Sequence, residues 1–273
     1  MNFDSFGDRM KEYEGAEANR RVMRRLPILA RLDGRAFHTF CRGLNKPYDQ
    51  RFHDLMCAVT TRLVEETGAL VGYTQSDEIN LVWYSADPKS QVFFDGRIQK
   101  LVSILAAMAS VEFFRLLPAY LPEKVGALPQ FDCRVWGVPT LEEAANTFLW
   151  REQDATRNSI LALGQAHFSH KRLQGVNTKL LQELLFQEAG VNWSTSTPDW
   201  AKRGTWIRRV RGARRFSVDE LERLPLKHAA RTNPDLLVER WEVQRTPMLR
   251  FGSVLNRVAV LFEGAEPIVD GSV

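Results

Sequence analysis

The sequence predicts an α+β protein with a largely helical C-terminal region. Three observations carry this. Short runs rich in β-branched and aromatic residues stand beside segments with helical spacing; two strand-like runs flank an acidic turn; and helix-like segments dominate the second half. In chain order, Phe3 to Arg25 is charged and helix-like, and Pro27 to Leu32 is a strand that stops at the turn-forming pair Asp33-Gly34. Asp49 to Thr67 places Phe52, Leu55, Met56, Val59 and Leu63 at helical intervals, with Asp49 as N-cap and Gly68 as stop. Ala69 to Tyr84 reads as a hairpin around Gln75-Ser76-Asp77-Glu78, its second arm Ile79 to Tyr84. Arg97 to Leu117 is a long helix with Leu101, Leu105 and Met108 on one face, and Phe131 to Trp136 alternates as a strand. A boundary is expected near Gly137-Val138-Pro139-Thr140, dividing 1–137 from 138–273. Helices follow at Leu141 to Leu149, Gln153 to His167 and Asn177 to Glu188, then a loop over Val191 to Gly204 and a basic strand, Thr205 to Arg211. Beyond Arg215 no element is assigned.

With 273 residues, 44% hydrophobic and 26% charged, the chain can fill a substantial core, which excludes disorder as its main character. Its net charge of +4 permits a polyanionic partner without demanding one. The longest uncharged apolar run, Leu101 to Val111, is short of the roughly 20 residues a membrane span needs, so no membrane crossing is expected. Met1 to Ser5 shows no secretory pattern. Three scattered cysteines, Cys41, Cys57 and Cys133, read as reduced buried thiols of a cytoplasmic protein, and no histidine joins them at zinc-ligand spacing.

Asp33 and Asp77 stand where strands end, with Glu78 adjacent. Two carboxylates at rigid but open positions, with a backbone carbonyl and phosphate oxygens completing the shell, suit Mg²⁺; they equally suit ordinary turn chemistry. Gly34, Arg35, Ala36, Phe37 and His38 follow the first strand, and such a turn offers N–H groups to an anion, though it is not a GxxxxGK[ST] loop. His167 and His170 read as helix-surface residues, and Trp136, Trp150 and Trp193 as packing residues.

Leu32 to Phe40, Lys46-Pro47-Tyr48-Asp49-Gln50-Arg51 and Gln75 to Ile79 together resemble the tRNA-His guanylyltransferase superfamily, bacterial/archaeal type. The resemblance continues at Phe131-Asp132-Cys133-Arg134, Trp150 to Asp154, Arg172-Leu173-Gln174-Gly175 and Arg203-Gly204-Thr205, and covers about Asn2 to Arg208. Each motif is weak alone; their order and spacing carry the match. The resemblance implies a palm-type antiparallel sheet backed by helices, as in polymerases and nucleotide cyclases, with 1–137 as the palm catalytic domain and 138–273 packed on it and contacting tRNA. It implies that Asp33, the Gly34 carbonyl and Asp77 hold two Mg²⁺ ions, that Glu78 supports them, and that Gly34 to His38 cradle a triphosphate. It also implies nucleotide contacts for Lys46, Asp49, Ser76, Arg97, Lys100 and Asn158, and a homotetramer.

Members of this superfamily add nucleotides to tRNA 5′ ends in the 3′–5′ direction. Here Thr156-Arg157-Asn158-Ser159 stands where the eukaryotic tRNA-His enzymes carry His-Ile-Asn-Asn. That departure points to template-dependent 5′-end repair using ATP, GTP and other NTPs, with strict tRNA-His guanylylation as the alternative. A nucleotide cyclase, a 5′–3′ polymerase and a non-catalytic RNA-binding protein are the remaining readings. For the RNA surface, Arg208, Arg209, Arg211, Arg214 and Arg215 form the densest basic run, with Trp206 and Phe216 beside it; a charged, solvated strand edge is the competing account.

Overall fold

The computed structural model describes residues 5–233 and 235–270. Phe3 and Asp4 of the expected first helix, like Met1 and Asn2, lie outside the described residues. Six strands, β1 (Ile28–Gly34), β2 (Val71–Gln75), β3 (Glu78–Trp83), β4 (Phe131–Gly137), β5 (Thr205–Arg215) and β6 (Leu237–Pro247), form one sheet in the order β4-β1-β3-β2-β5-β6. Every neighbouring pair is antiparallel. The main helices are α1 (Ser5–Ala18), α2 (Phe37–Phe40), α3 (Gln50–Thr67), α4 (Ile98–Tyr120) and α5 (Leu141–His167).

Strands β2 and β3 are buried along their whole length, which explains why they read as apolar runs. On one face α3 and α4 bring Leu55, Met56, Leu63, Leu105 and Phe113 against Leu32, Ile79, Leu81 and Ile207. On the other, Phe148 of α5 and Leu261 of the helix Arg257–Phe262 meet Leu29, Tyr73, Val82 and Trp206. Each such buried Leu or Phe contributes about 1.5–3 kcal/mol.

Asp49 caps α3, accepting from the Arg51 N–H at 3.0 Å, and Gly68 ends the helix at φ 69°. Helix α4 is 23 residues and, contrary to the expectation, is long and apolar enough to cross a membrane by length and composition. The apolar character of the helix continues past Glu112 and Arg115, which end the uncharged run and pair with each other at 2.6 Å. The face carrying Leu101, Leu105, Ala109, Phe113 and Leu117 is buried against the sheet, as in a core helix.

Where two helices were expected, α5 is one helix of 27 residues, capped by Thr140. The polar segment that suggested a break, Arg151-Glu152, is buried and ion-paired with Glu78 and Arg203, so it continues the helix inward. The expected loop over Val191 to Gly204 holds two short helices, Trp193–Ser196 and Asp199–Arg203. The basic strand runs on to Arg215 and pairs along its full length with β6, so residues past 138 add two strands to the sheet. Beyond Arg208 this ribbon has no other strand neighbour, which leaves β6 charged on both faces and hides its pattern.

Candidate active site

Asp33 closes β1, opposite Glu78 on β3 and Asp132 on β4. The next residue, Gly34, donates its N–H to the Asp77 carbonyl at 3.1 Å. The β2–β3 turn is thereby fastened to the end of β1, and the two predicted carboxylates share one corner. Gly34 must be glycine, because a Cβ there would lie 2.4 Å from the Phe37 ring. Ser76, at φ 48°, holds a left-handed conformation at the tip, a cost of about 1 kcal/mol or more that marks a constrained turn. Burial pushes the Asp77 carboxyl up to about 6; an N–H bond opposes this, and the negative charge of Asp33 adds to it.

Glu78 is buried and its oxygens are taken. Arg151 donates to it from Nε at 2.7 Å and Nη2 at 2.9 Å, Asn80 donates at 2.7 Å, and Arg31 pairs at 2.7 Å. Arg31 also reaches Asp33 at 3.3 Å. Glu78 is therefore a support that orients two arginines beside Asp33. Arg31 and Arg151 had no assigned role at the sequence level; an arginine inside an apolar strand and one inside an apparent helix break were the available signals. Asp132 was also unassigned, and its register beside Asp33 adds a third carboxylate to the same sheet face.

The expected phosphate cradle is narrower than Gly34 to His38. The Gly34 N–H is bound to Asp77, and the Arg35 N–H donates to Gln130 O at 2.8 Å. Ala36, at φ 57°, turns the chain into α2, leaving the N–H groups at 36–38 as the helix start. The Phe37 side chain is core, meeting Phe40, Phe52, Phe113 and Phe131. His38 is exposed.

Beside the turn is a cleft of about 270 Å³ lined by Lys46, Asp49, Ser76 and Asn158, with Tyr48 and Trp200 among its walls. Four predicted nucleotide contacts from three chain regions thus meet at one cavity. The Asp49 carboxylate is committed to the Asn45 N–H at 3.0 Å and to Arg51 at 2.8 Å, holding it at about 2. It shapes the cleft as a cap. Behind it His53 contacts Thr205 at 3.0 Å and stacks on Trp200 at 4.4 Å; burial holds its imidazole down to about 4.

Arg97 and Lys100 are not brought here. They begin α4 and line a separate hollow with α1. Phe113, on the same helix, is what touches Phe37, so the two cations lie about 20 Å along the axis from that contact. Among the five basic strand residues, Arg208 donates to Val260 O, Arg209 donates to Gly68 O and lies over Trp241, and Arg214 forks onto Glu220. Arg211 also lies over Trp241, and Arg215 pairs with Asp235 on the surface. Trp136 and Trp193 pack at the edges of cores, but Trp150 is 54% exposed, which corrects its reading as a packing residue.

Among the described residues no three His, Cys, Asp or Glu side chains form a ready metal cage. The corner offers hard oxygens from Asp33, Asp77 and the Gly34 carbonyl. That donor set fits Mg²⁺, which keeps substrate oxygens and waters in its shell.

Residues 7–139 match the family model described as tRNAHis guanylyltransferase. The fold is similar to a bacterial tRNA(His) guanylyltransferase (Thg1)-like protein solved in complex with ATP, with TM-score 0.70 and 38% identity, covering 74% of this chain and 88% of that one. A bacterial Thg1-like protein in complex with GTP is similar at TM-score 0.66 and 32% identity, covering 88% and 91%. The tRNA(His) guanylyltransferase of Schizosaccharomyces pombe is 25% identical over 252 residues, 85% of this chain and 94% of its own. With the strand-end carboxylates, the fastened turn and the adjoining cleft in place, the chain belongs to the tRNA-His guanylyltransferase family of nucleotidyltransferases.

Proposed function

We propose that this protein repairs tRNA 5′ ends by template-dependent 3′–5′ nucleotide addition. The observation that carries the reading is the joining of Asp33 and Asp77 at one corner, with Lys46, Ser76 and Asn158 converging on the adjoining cleft. In the first stage an oxygen of the RNA 5′-monophosphate attacks the α-phosphorus of ATP, and pyrophosphate leaves. In the second the 3′-hydroxyl of an incoming NTP attacks the activated 5′ phosphorus, loses its proton, and AMP leaves. A 5′-triphosphate end enters directly at the second stage, where pyrophosphate leaves in place of AMP.

Asp33, Asp77 and the Gly34 carbonyl are the residues that would hold two Mg²⁺ ions. Bound there, the metal would activate the attacking oxygen and stabilise the leaving pyrophosphate. Lys46 and Ser76 bring an ammonium and a hydroxyl to the activating nucleotide's phosphates, and Asn158 brings an amide. Tyr48 and Trp200, whose rings meet edge to face, line the cleft with aromatic surface for its base. Catalysis then rests on positioning and on charge stabilisation, as phosphoryl transfer requires. Thr156-Arg157-Asn158-Ser159 and the higher identity to the bacterial proteins support repair over strict tRNA-His guanylylation.

The test supplies a tRNA lacking its first nucleotide, Mg²⁺, ATP and each NTP singly, beside intact tRNA-His. Extension of the truncated tRNA only by the NTP complementary to the facing base is the expected result. Addition of G to intact tRNA-His alone would replace this reading with the dedicated guanylyltransferase.

A further inference from the structure

Trp150 lies on α5 one residue before Arg151, off the stripe of Ala155, Asn158, Ser159 and Ala162 that lines the cleft. One ring face is covered by the Arg151 guanidinium, 4.3 Å from the ring centroid. Arg151 is itself only 4% exposed, fixed by Glu78 at 2.7 Å and Asp154 at 2.5 Å. The indole is therefore anchored from behind by a group that cannot move, while 54% of the residue stays open to solvent. A large aromatic surface held rigid and left uncovered, one guanidinium away from the carboxylate support of Asp33, is not explained by core packing. Asn158 lies two turns further along α5, about 12 Å away, at the cleft. Through Arg151 and Glu78 the bare aromatic plane is tied to the residue paired with Asp33 across the sheet.

We propose that the open face of Trp150 stacks on the base of the incoming nucleotide during the transfer stage. This inference rests on the two-stage reaction proposed above. The π-face of any base fits such a plane, so the contact holds the nucleotide without selecting its identity. Identity is then left to the template. Arg151 stabilises the back of the ring as a cation–π partner, which keeps the plane preorganised.

The experiment uses full-length wild type, Trp150→Ala, Trp150→Phe and Trp150→Leu. Transfer is measured on truncated tRNA carrying a 5′-triphosphate, which bypasses activation. Activation is measured separately, as label transferred from α-labelled ATP to the 5′-monophosphorylated RNA. The expected result is a rise of about tenfold in the KM for the incoming NTP with Trp150→Ala, activation unchanged within twofold, recovery with Phe and none with Leu. Tenfold corresponds to ~1.4 kcal/mol, within the range for one stacked base. Leucine covers Arg151 but offers no ring, so equal recovery with Leu and Phe would overturn the inference in favour of packing. An unchanged nucleotide KM, or a rise only in the KM for the RNA, would also overturn it. If wild type extends neither RNA, the two-stage reaction itself fails, an outcome distinct from extension by wild type that Trp150→Ala leaves unaltered.

Discussion

Asp33 and Asp77 carry the account at the residue scale, and their neighbours show why each is placed as it is. Replacing either by Asn keeps the shape and removes a charge that both stages of the proposed reaction use. Single-turnover assays of activation and of transfer should each slow by about 10³-fold, with an unchanged melting curve. Glu78 behaves differently, because it is buried and satisfied by two arginines and an asparagine. Glu78→Leu removes the buried carboxylate that Arg151 and Arg31 share, leaving them only Asp154 and Asp33, and should destabilise the protein by about 3 kcal/mol in urea unfolding. Asp33 and Asp77 were legible in the sequence through the order of several weak motifs. The burial of Glu78 was not, since Ser76-Asp77-Glu78 has the same composition as an exposed turn. Phe37 misled in the opposite way: a residue inside a recognisable loop motif contributes its backbone there and its ring to the core.

At the scale of elements, the site is made by three junctions: β1 to the β2–β3 turn, β3 to α5 through Glu78 and Arg151, and α3 to β5 through His53 and Thr205. The last gives a titration test. His53 sits near pH 4 in the fold against about 6.5 unfolded, so the unfolded chain binds more protons between those values. Its stabilising contribution is complete above about pH 6.5 and is lost as pH falls towards 4, by up to ~1.4 kcal/mol per unit. Urea unfolding at pH 7, 5.5 and 4.5 should show this slope in wild type and a shallower one in His53→Gln, the difference isolating His53 from the carboxylates. The hairpin, α3 with both caps, and β4 were legible because local apolar spacing fixes them. The continuity of α5 was not, because buried ion pairs interrupt its apolar pattern. That Arg97 and Lys100 line a hollow apart from the cleft was not legible for another reason: a sequence gives a helix but not which of its ends faces a given cavity.

For the whole molecule, β5 and β6 form a ribbon whose basic tip, Arg215, is about 33 Å from Thr205 at the site end. Arg214 is locked to Glu220, whereas Arg211 and Arg215 have exposed positions on the other face of the strand. Arg211→Ala with Arg215→Ala should weaken tRNA binding and lower the slope of log affinity against log salt by about one to two units in a filter-binding titration. Arg214→Ala should leave that slope unaltered. The proposed repair reaction has one consequence at this scale: the added nucleotide is chosen by the RNA, with aromatic surface and phosphate-binding groups of the chain holding it. The most direct measurement changes only the template. Truncated tRNAs carrying each of the four bases opposite the missing 5′ position are incubated with all four NTPs, and the added nucleotide is identified. The account predicts that the added base follows the template in all four cases. Addition of G whatever base faces it would contradict it.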